Sequence, residues 1–502
     1  MFFIVLLLVF KKQKMHKTKL ISVLKSLTKT ELSQFSDYVR SPFYNKNTLC
    51  VRLLDILLEA APNYAPNLLD KQDLFARLFP GKAYNSSLRV IASLLLKLLQ
   101  DFLILISLKQ ETFYEDYFLL KALQNRHQTT LFRQKLNQLQ MAQETLCEDS
   151  SDYHYQQFLV KDLAVSFAKM QQQPVKKREK ELIYRDVLKE FDFYSLLTKL
   201  RYSCVVLNDQ KNKLGFNEIG ISLDDLLAEA SRAHHKDSVL IQLWTCLLNM
   251  LYKHKNNLEA DASNFYVKTK LILTANTLHL TKEDESFVYN LLLNFCVKKI
   301  IADETEYRTD MFEMYREMAA KQLLQIDGYI PHRHFKNTIT LAAQNELFEE
   351  AKQFIDAYGK QLQVPFRDST LNFSLGTITF YQKKYDEALK FFLQVEVKND
   401  IFYRIDCDTL VLRAYFEQTA SKAFLSWLKS FKGFLKHNKS LPILRRKAYK
   451  NFILFMAALY RIKALHSTKS AAKIGEEIAA ATNVVHKKWL LEKVAELIAI
   501  SE

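Results

Sequence analysis

Glycine and proline are both scarce in this chain, which has eight of each among its 502 residues. Average proteins contain about 7% glycine and about 5% proline. Tight β-turns depend on these two residues, because glycine reaches positive φ without steric cost and proline fixes φ. The scarcity therefore excludes a fold built from many hairpins. Leu, Lys, Glu, Gln and Ala fill the chain instead, and since they favour helices, the sequence predicts an all-α protein.

Closely spaced cysteines are also absent. The six cysteines stand at positions 50, 147, 204, 246, 296 and 407, and no two of them form a CxxC motif. Isolated cysteines in apolar helical windows are typical of buried thiols in a reducing compartment. We therefore expect a cytoplasmic protein.

The motifs of common catalytic sites are missing as well. The chain has no P-loop, no GxGxxG, no nucleophile elbow and no HExxH; PGK at 80–82 lacks the flanking residues of a P-loop. The close histidine groups are His234 with His235 and His332 with His334, and helical neighbours one or two apart do not face each other. We expect no catalytic residue, no cofactor and no metal. An enzyme site assembled from distant residues is the alternative.

The first residues are apolar. Residues 2–10 read FFIVLLLVF and precede KKQK, which is too short for a membrane span of about 20 residues. A secretory signal carries its positive charge before the apolar run, not after it. We expect translation to start at Met15, which makes residues 1–14 a mis-assigned start or a disordered segment. The alternative is a weak membrane-surface anchor.

The longest apolar window is Val90–Leu108. Lys97 and Asp101 lie near its centre, and charges there are costly inside a bilayer. The window therefore predicts a core helix, and we expect no transmembrane segment.

The excess of positive over negative charge is confined to two segments. The net charge is +16, yet residues 1–30 hold seven lysines and no acid, and residues 418–475 hold thirteen Lys or Arg and no acid. The two segments together carry +20, so the rest of the chain sums to −4. A basic segment of this kind is a candidate surface for phosphates or for an acidic partner.

Small residues recur at a nearly constant interval near the C-terminus. Ala351, Ala388 and Ala423 lie 37 and then 35 residues apart. Residues three before them and four after them recur too: Phe348, Tyr385 and Ala420, and Ile355, Phe392 and Trp427. Small residues at such positions allow two helices to approach closely, so the interval predicts a repeat of helical pairs.

Residues 371–396, LNFSLGTITFYQKKYDEALKFFLQVE, resemble one unit of tetratricopeptide-repeat (TPR) proteins. Gly376, Tyr385, Ala388 and Phe392 carry the resemblance. It implies a TPR-like solenoid of antiparallel helices that binds other proteins. The whole layout also resembles bacterial helical-repeat proteins of similar length, a likeness that assigns no activity.

Composition and punctuation divide the chain into five parts. Residues 1–14 form the first; an N-terminal helical bundle over 15–148 follows, and its second helix is predicted from the capping box of Thr28 and Glu31. A central helical region spans 153–325, TPR-like repeats span 331–465, and a C-terminal helical cap spans 466–502.

The resemblance implies a peptide groove on the first helix of the unit. The groove positions are Thr370, Phe373, Thr377, Phe380 and Tyr381. They lack the Lys and Asn of a carboxylate clamp, so an apolar or aromatic groove is expected. The alternative is that Phe380 and Tyr381 only pack against the next unit.

A lysine stripe is predicted on the helix after residue 420. At 100° per residue, Lys422, Lys429, Lys432 and Lys436 fall within an arc of about 80°. Arg445 and Arg446 open the next helix and complete a basic surface. The bland interpretation is a solvated face. No aromatic side chains interleave with the stripe, so base stacking is not predicted.

The sequence therefore favours a non-enzymatic scaffold for protein–protein interaction, with a protein or peptide partner of unknown identity. The alternative is a binder of nucleic acid or another acidic surface through the basic region 418–475.

Overall fold

The computed structural model describes residues 15–65, 68–144, 150–170, 177–209, 220–232, 235, 237–275, 280–302, 304–396, 400–438, 440–465 and 468–499. In these ranges it has 23 α-helices and no β-strand, with two isolated bridges, Ile326 to Tyr329 and Ile330 to Leu362. The prediction of an all-α protein is confirmed. The expected start segment 1–14 lies outside the described residues.

The helices are numbered in chain order. They are α1 Lys19–Leu24, α2 Lys29–Arg40, α3 Thr48–Leu58, α4 Lys71–Leu78, α5 Ser87–Gln110, α6 Thr112–Asn125, α7 Thr129–Glu144, α8 Ser151–Met170, α9 Lys177–Asn208, α10 Leu223–Ala230, α11 Val239–Lys255, α12 Glu259–Thr274, α13 Lys282–Ile301, α14 Tyr307–Ala320, α15 His332–Gln344, α16 Phe348–Tyr358, α17 Val364–Tyr381, α18 Tyr385–Phe392, α19 Ile401–Glu417, α20 Ser421–His437, α21 Ile443–Leu465, α22 Thr468–Ala480 and α23 Lys487–Ala499.

The chain divides into two compact units. One comprises residues 1–147 and 152–194, and the other comprises residues 148–151 and 195–502, so the division falls inside α9. Helix α8 and the first part of α9 thus belong to the first unit, although the sequence assigns them to a central region.

The first unit is built around α5. Helices α1, α2, α3, α4 and α6 all pack against it. Helix α2 begins at the predicted capping box: the Glu31 amide donates to Thr28 Oγ1 at 3.2 Å, and the Thr28 amide donates to Glu31 Oε2 at 2.7 Å. A second apolar cluster joins α6, α7 and α8, where the rings of Phe132 and Phe167 stack at 3.8 Å.

Helix α5 contains the long apolar window of the sequence. Among the described residues it is the one helix long and apolar enough to cross a membrane by length and composition. Leu88, Ile91, Leu95, Leu99 and Phe102 recur along it every three or four residues and are buried in the core of the first unit. Its other side faces solvent and carries the two charges noted in the sequence.

The second unit is a succession of helices, and from α13 to α23 each helix packs on the next. In its C-terminal part the helices also contact the next but one: α15 packs on α17, α17 on α19, and α21 on α23. Two apolar clusters run through this part, one centred on α17 to α19 and one on α19 to α23. Helices that contact both the next and the next but one form a layered array.

Five helix pairs share one kind of turn. The pairs are α6/α7, α11/α12, α15/α16, α17/α18 and α19/α20, and their turns hold His127, Asn257, Glu346, Lys383 and Thr419 at φ between 55° and 62°. In each turn the next amide donates to the carbonyl five residues earlier, at 2.9 to 3.2 Å. This bond satisfies a carbonyl at the helix end, and the left-handed position is usually glycine or asparagine. The chain thus makes helical hairpins while using few glycines.

The α17/α18 pair depends on the absence of a side chain at Gly376. A Cβ atom there would lie 2.7 Å from Phe392 Cε1 and 3.2 Å from Phe391 Cβ. Helix α18 begins at Tyr385, as α16 begins at Phe348, so the predicted interval coincides with two helix starts.

We expect Gly376→Ala to lower the free energy of unfolding by about 1–3 kcal/mol, because the added methyl group must displace packed phenylalanine side chains. Gly433→Ala in α20 is the matched control. Nothing lies within 4 Å of its Cβ position, so the helix preference of alanine should raise stability by up to about 1 kcal/mol. Denaturant unfolding of both variants measures this, and an equal effect of the same sign would contradict the close approach.

Candidate functional site

The predicted groove residues lie inside the packing of α17. Thr370, Phe373, Thr377 and Phe380 are buried, and Tyr381 is half-buried. The Thr370 and Thr377 hydroxyls donate to carbonyls four residues earlier in their own helix, at 2.7 and 2.8 Å. These four side chains therefore contribute to helix–helix packing and do not line an open groove.

Tyr381 makes one polar contact. Gln344 Nε2 of α15 donates to the Tyr381 hydroxyl oxygen at 3.1 Å. The residue thus joins the first helices of two neighbouring pairs, which is the packing alternative to a peptide groove.

Ion pairs between α15 and α19 explain why this part of α17 is covered. Arg333 Nε lies 2.7 Å from Asp400 Oδ2, and His332 Nε2 lies 3.1 Å from the same oxygen. Lys336 pairs with Asp406. These partners lie 67 to 70 residues apart, which is about two repeat intervals, so two alternate pairs contact each other directly.

Lys336 crosses over α17 to reach its partner. Its ammonium lies 5.7 Å from the centroid of the Phe373 ring and 5.2 Å from that of the Tyr403 ring, and the residue is buried. A buried ammonium is stable only when it is paired, and the aromatic faces and Asp406 supply that pairing. Phe373 is therefore covered by a fixed charge of the same chain.

A second set of charges covers the other end of α17. The guanidinium of Arg413, from α19, lies 4.9 Å from the Phe380 ring centroid and 4.7 Å from that of Trp489, from α23. Next to it, Lys493 Nζ lies 2.8 Å from Glu417 Oε1, and both side chains are mostly buried. The stacked guanidinium hides Phe380, so α19 and α23 are joined across the array.

The carboxyl of Asp400 is held in its charged form. Burial alone would raise its pKa, but hydrogen bonds from Arg333, from the Tyr403 amide and from His332 outweigh it and lower the pKa to about 2. Asp400 also caps α19, accepting from the amides of Phe402 and Tyr403 at 3.1 Å. One carboxylate therefore fixes both the start of α19 and its contact with α15.

The predicted lysine stripe is exposed. Lys422, Lys429, Lys432 and Lys436 face solvent on α20. Phe424, Phe431 and Leu435 lie on the opposite face and are buried in the cluster of α19 to α23. The amphipathic arrangement expected from the sequence is therefore present.

An apolar residue lies within the stripe. Leu425 is 56% exposed, and at 100° per residue it falls inside the arc of the four lysines. Arg445 and Arg446 instead contact their own chain: the Arg445 guanidinium lies 4.6 Å from the Phe402 ring centroid, and Arg446 donates to the Leu441 carbonyl at 3.1 Å. On α20 the exposed surface is thus four lysines around one leucine, and Arg445 is also exposed at the start of α21.

The described residues hold no group of three or more His, Cys, Asp or Glu that could bind a metal ion. His234 and Cys147 lie outside them, and His235 contacts the Glu229 carbonyl at 3.1 Å. The other five cysteines are free thiols. Burial raises the pKa of Cys296 and of Cys407 to about 12, which leaves little thiolate at neutral pH.

Comparison with known proteins gave no match: no family model, no curated protein and no solved structure resembles this chain. The likeness to TPR proteins stays a prediction from the residue pattern.

Sequence reasoning missed the residues that cover the predicted groove positions of α17. Lys336, Asp406, Arg413 and Trp489 each lie in an unremarkable helical window. The one available signal is spacing, because opposite charges two repeat intervals apart can meet where alternate helical pairs contact each other.

We expect Asp400→Asn to lower the free energy of unfolding at pH 6 by about 2 kcal/mol, since asparagine keeps the cap but loses the charge. The pKa of Asp400 is lowered from 3.8 to about 2. The contribution of its charge to the free energy of unfolding is therefore complete above about pH 4 and is lost as pH falls through the folded-state pKa. The difference between wild type and variant should therefore shrink between pH 4 and pH 2 in denaturant titrations.

Glu387→Gln, at an exposed position of α18, is the control and should change stability little. A wild-type minus Asp400→Asn difference that stays constant between pH 4 and pH 2 would contradict the ion-pair explanation.

Proposed function

We propose that the chain is a non-enzymatic scaffold for protein–protein interaction. In this proposal, TPR-like helical pairs over 331–465 form a solenoid that follows an N-terminal helical bundle. The shared turn in α15/α16, α17/α18 and α19/α20 supports a repeat. So does the register, in which Ala351 and Ala388 are buried and Ala423 is half-buried. The five free thiols support a reducing compartment such as the cytoplasm.

The binding surface of the proposed scaffold is the exposed face of α20, which carries the lysine stripe and Leu425. Charged side chains of α15 and α19 cover the predicted groove positions of α17, which leaves little room for a peptide there. The observation that carries the proposal is the exposure of Leu425 among Lys422, Lys429, Lys432 and Lys436. An exposed apolar residue surrounded by positive charges suits a partner whose interface has an apolar side chain at its centre and acidic side chains around it.

The partner chemistry that fits best is an acidic amphipathic helix. Its apolar residue would cover Leu425, and its carboxylates would face the lysines one helical turn away on either side.

A second function is nucleic-acid binding through the same stripe. The specific observation in its favour is that all four lysines are exposed. Residues 418–475 contain no Asp or Glu that would balance their positive charge. Phosphate binding is electrostatic and falls steeply with salt. A leucine at the centre of the stripe adds nothing to it, which is why the protein partner ranks first.

Leu425→Gln separates the two functions. With the full chain as bait in nuclease-treated lysate, we expect the variant to lose the proteins that wild type captures and to bind a labelled oligonucleotide as wild type does. Leu393→Gln is the matched control, because Leu393 is also 56% exposed but directly follows α18, away from the lysine stripe in the sequence. It should retain every partner.

Charge reversal at Lys429, Lys432 and Lys436 to Glu completes the test. Loss of oligonucleotide binding with retained, salt-resistant protein capture would remove the stripe from the protein interface. Protein capture that survives both Leu425→Gln and the charge reversal would overturn the proposed surface.

A further inference from the structure

The first unit contains a cleft that the scaffold function does not use. It lies between the start of α1, the start of α4 and the first turns of α5, and its volume is about 590 Å³. Clefts that hold small molecules typically measure about 300–1,000 Å³.

The floor of the cleft is apolar. Met15, Leu20 and Leu88 are buried side chains that line it, and Ala92 and Leu96 extend it along α5. These residues belong to the core of the first unit or pack against it. An alkyl chain laid on this floor would remove further apolar surface from water.

The rim of the cleft is positively charged. Lys19, Lys71 and Arg89 line it, and no carboxylate is among the described residues that do so. Helix α5 starts at the same place, where Asn85 Oδ1 accepts from the Ser87 amide at 2.8 Å and the side chain of Ser86 makes no capping hydrogen bond. The positive end of a helix dipole adds to the three cations, so the rim favours an anion.

We infer that this cleft binds an anionic amphiphile with a single alkyl chain, of the class of a long-chain fatty acid. The alkyl chain lies on the floor between α1 and α5, and the head group meets Lys19, Lys71 and Arg89 at the rim. The residues that line the cleft account for both parts of the ligand. The apolar floor favours the alkyl chain, and the cationic rim favours a carboxylate or phosphate head group.

The test uses the full-length chain and cis-parinaric acid, whose fluorescence rises in an apolar site. We expect saturable binding at one site, weaker binding of the methyl ester, and weaker binding of the acid at high salt. The double variant Lys19→Glu with Arg89→Glu should bind the acid about tenfold or more weakly, through loss of rim attraction. Lys97→Glu, an exposed charge reversal on the same helix outside this cleft, should bind as wild type does.

A second variant tests the floor independently of charge. Ser93 is exposed at the edge of the cleft, so Ser93→Trp should block it without disturbing the core, while Ser107→Trp, also exposed on α5, should not. The proposal is overturned if full-length wild type shows no saturable binding. It is also overturned if acid and ester bind equally, or if Ser93→Trp and the double variant both bind as wild type does.

Discussion

The C-terminal array depends on charges that are buried between alternate helices. Lys336 is nearly inaccessible and reaches from α15 over Phe373 to Asp406 of α19, and Asp400 receives Arg333 and His332 beside it. A buried ion pair is a modest source of stability, but loss of one partner leaves an uncompensated charge and is costly. The pairs therefore act mainly by specifying which helices meet. They hold α15 against α19 and α19 against α23.

These contacts also cover the side chains of α17 that the sequence assigns to a peptide groove. In an open array of helical pairs the first helices would present their side chains to a peptide, whereas here the guanidinium of Arg413 covers Phe380 and the ammonium of Lys336 covers Phe373. The face of α20 that exposes four lysines around Leu425 stays accessible.

Local features of the fold follow from the sequence, and distant contacts do not. The capping box at Thr28, the helix starts at Phe348 and Tyr385 and the exposed arc of lysines on α20 all depend on residues within a few turns, and each lies where the residue pattern predicts. The burial of Thr370 and Thr377 could not be predicted, because it depends on the packing of α17 against other helices, among them α15 and α18. The cleft beside α5 was missed for the same reason, since Lys19, Lys71 and Arg89 converge only after folding. Residue spacing within one helix can be read from the sequence, whereas contacts between different helical pairs cannot.

Accessibility of Cys407 tests the closed array most directly. A short pulse of N-ethylmaleimide at neutral pH, read site by site by mass spectrometry, compares it with Cys246, which is half-buried and serves as an internal reference. The closed array predicts that Cys407 stays unmodified in the native chain and becomes modified in Lys336→Ala, where the ammonium over the neighbouring rings is gone. Modification of Cys407 in the native chain at the rate of an unfolded thiol would contradict the closed array. The predicted groove positions of α17 would then again be a candidate binding surface.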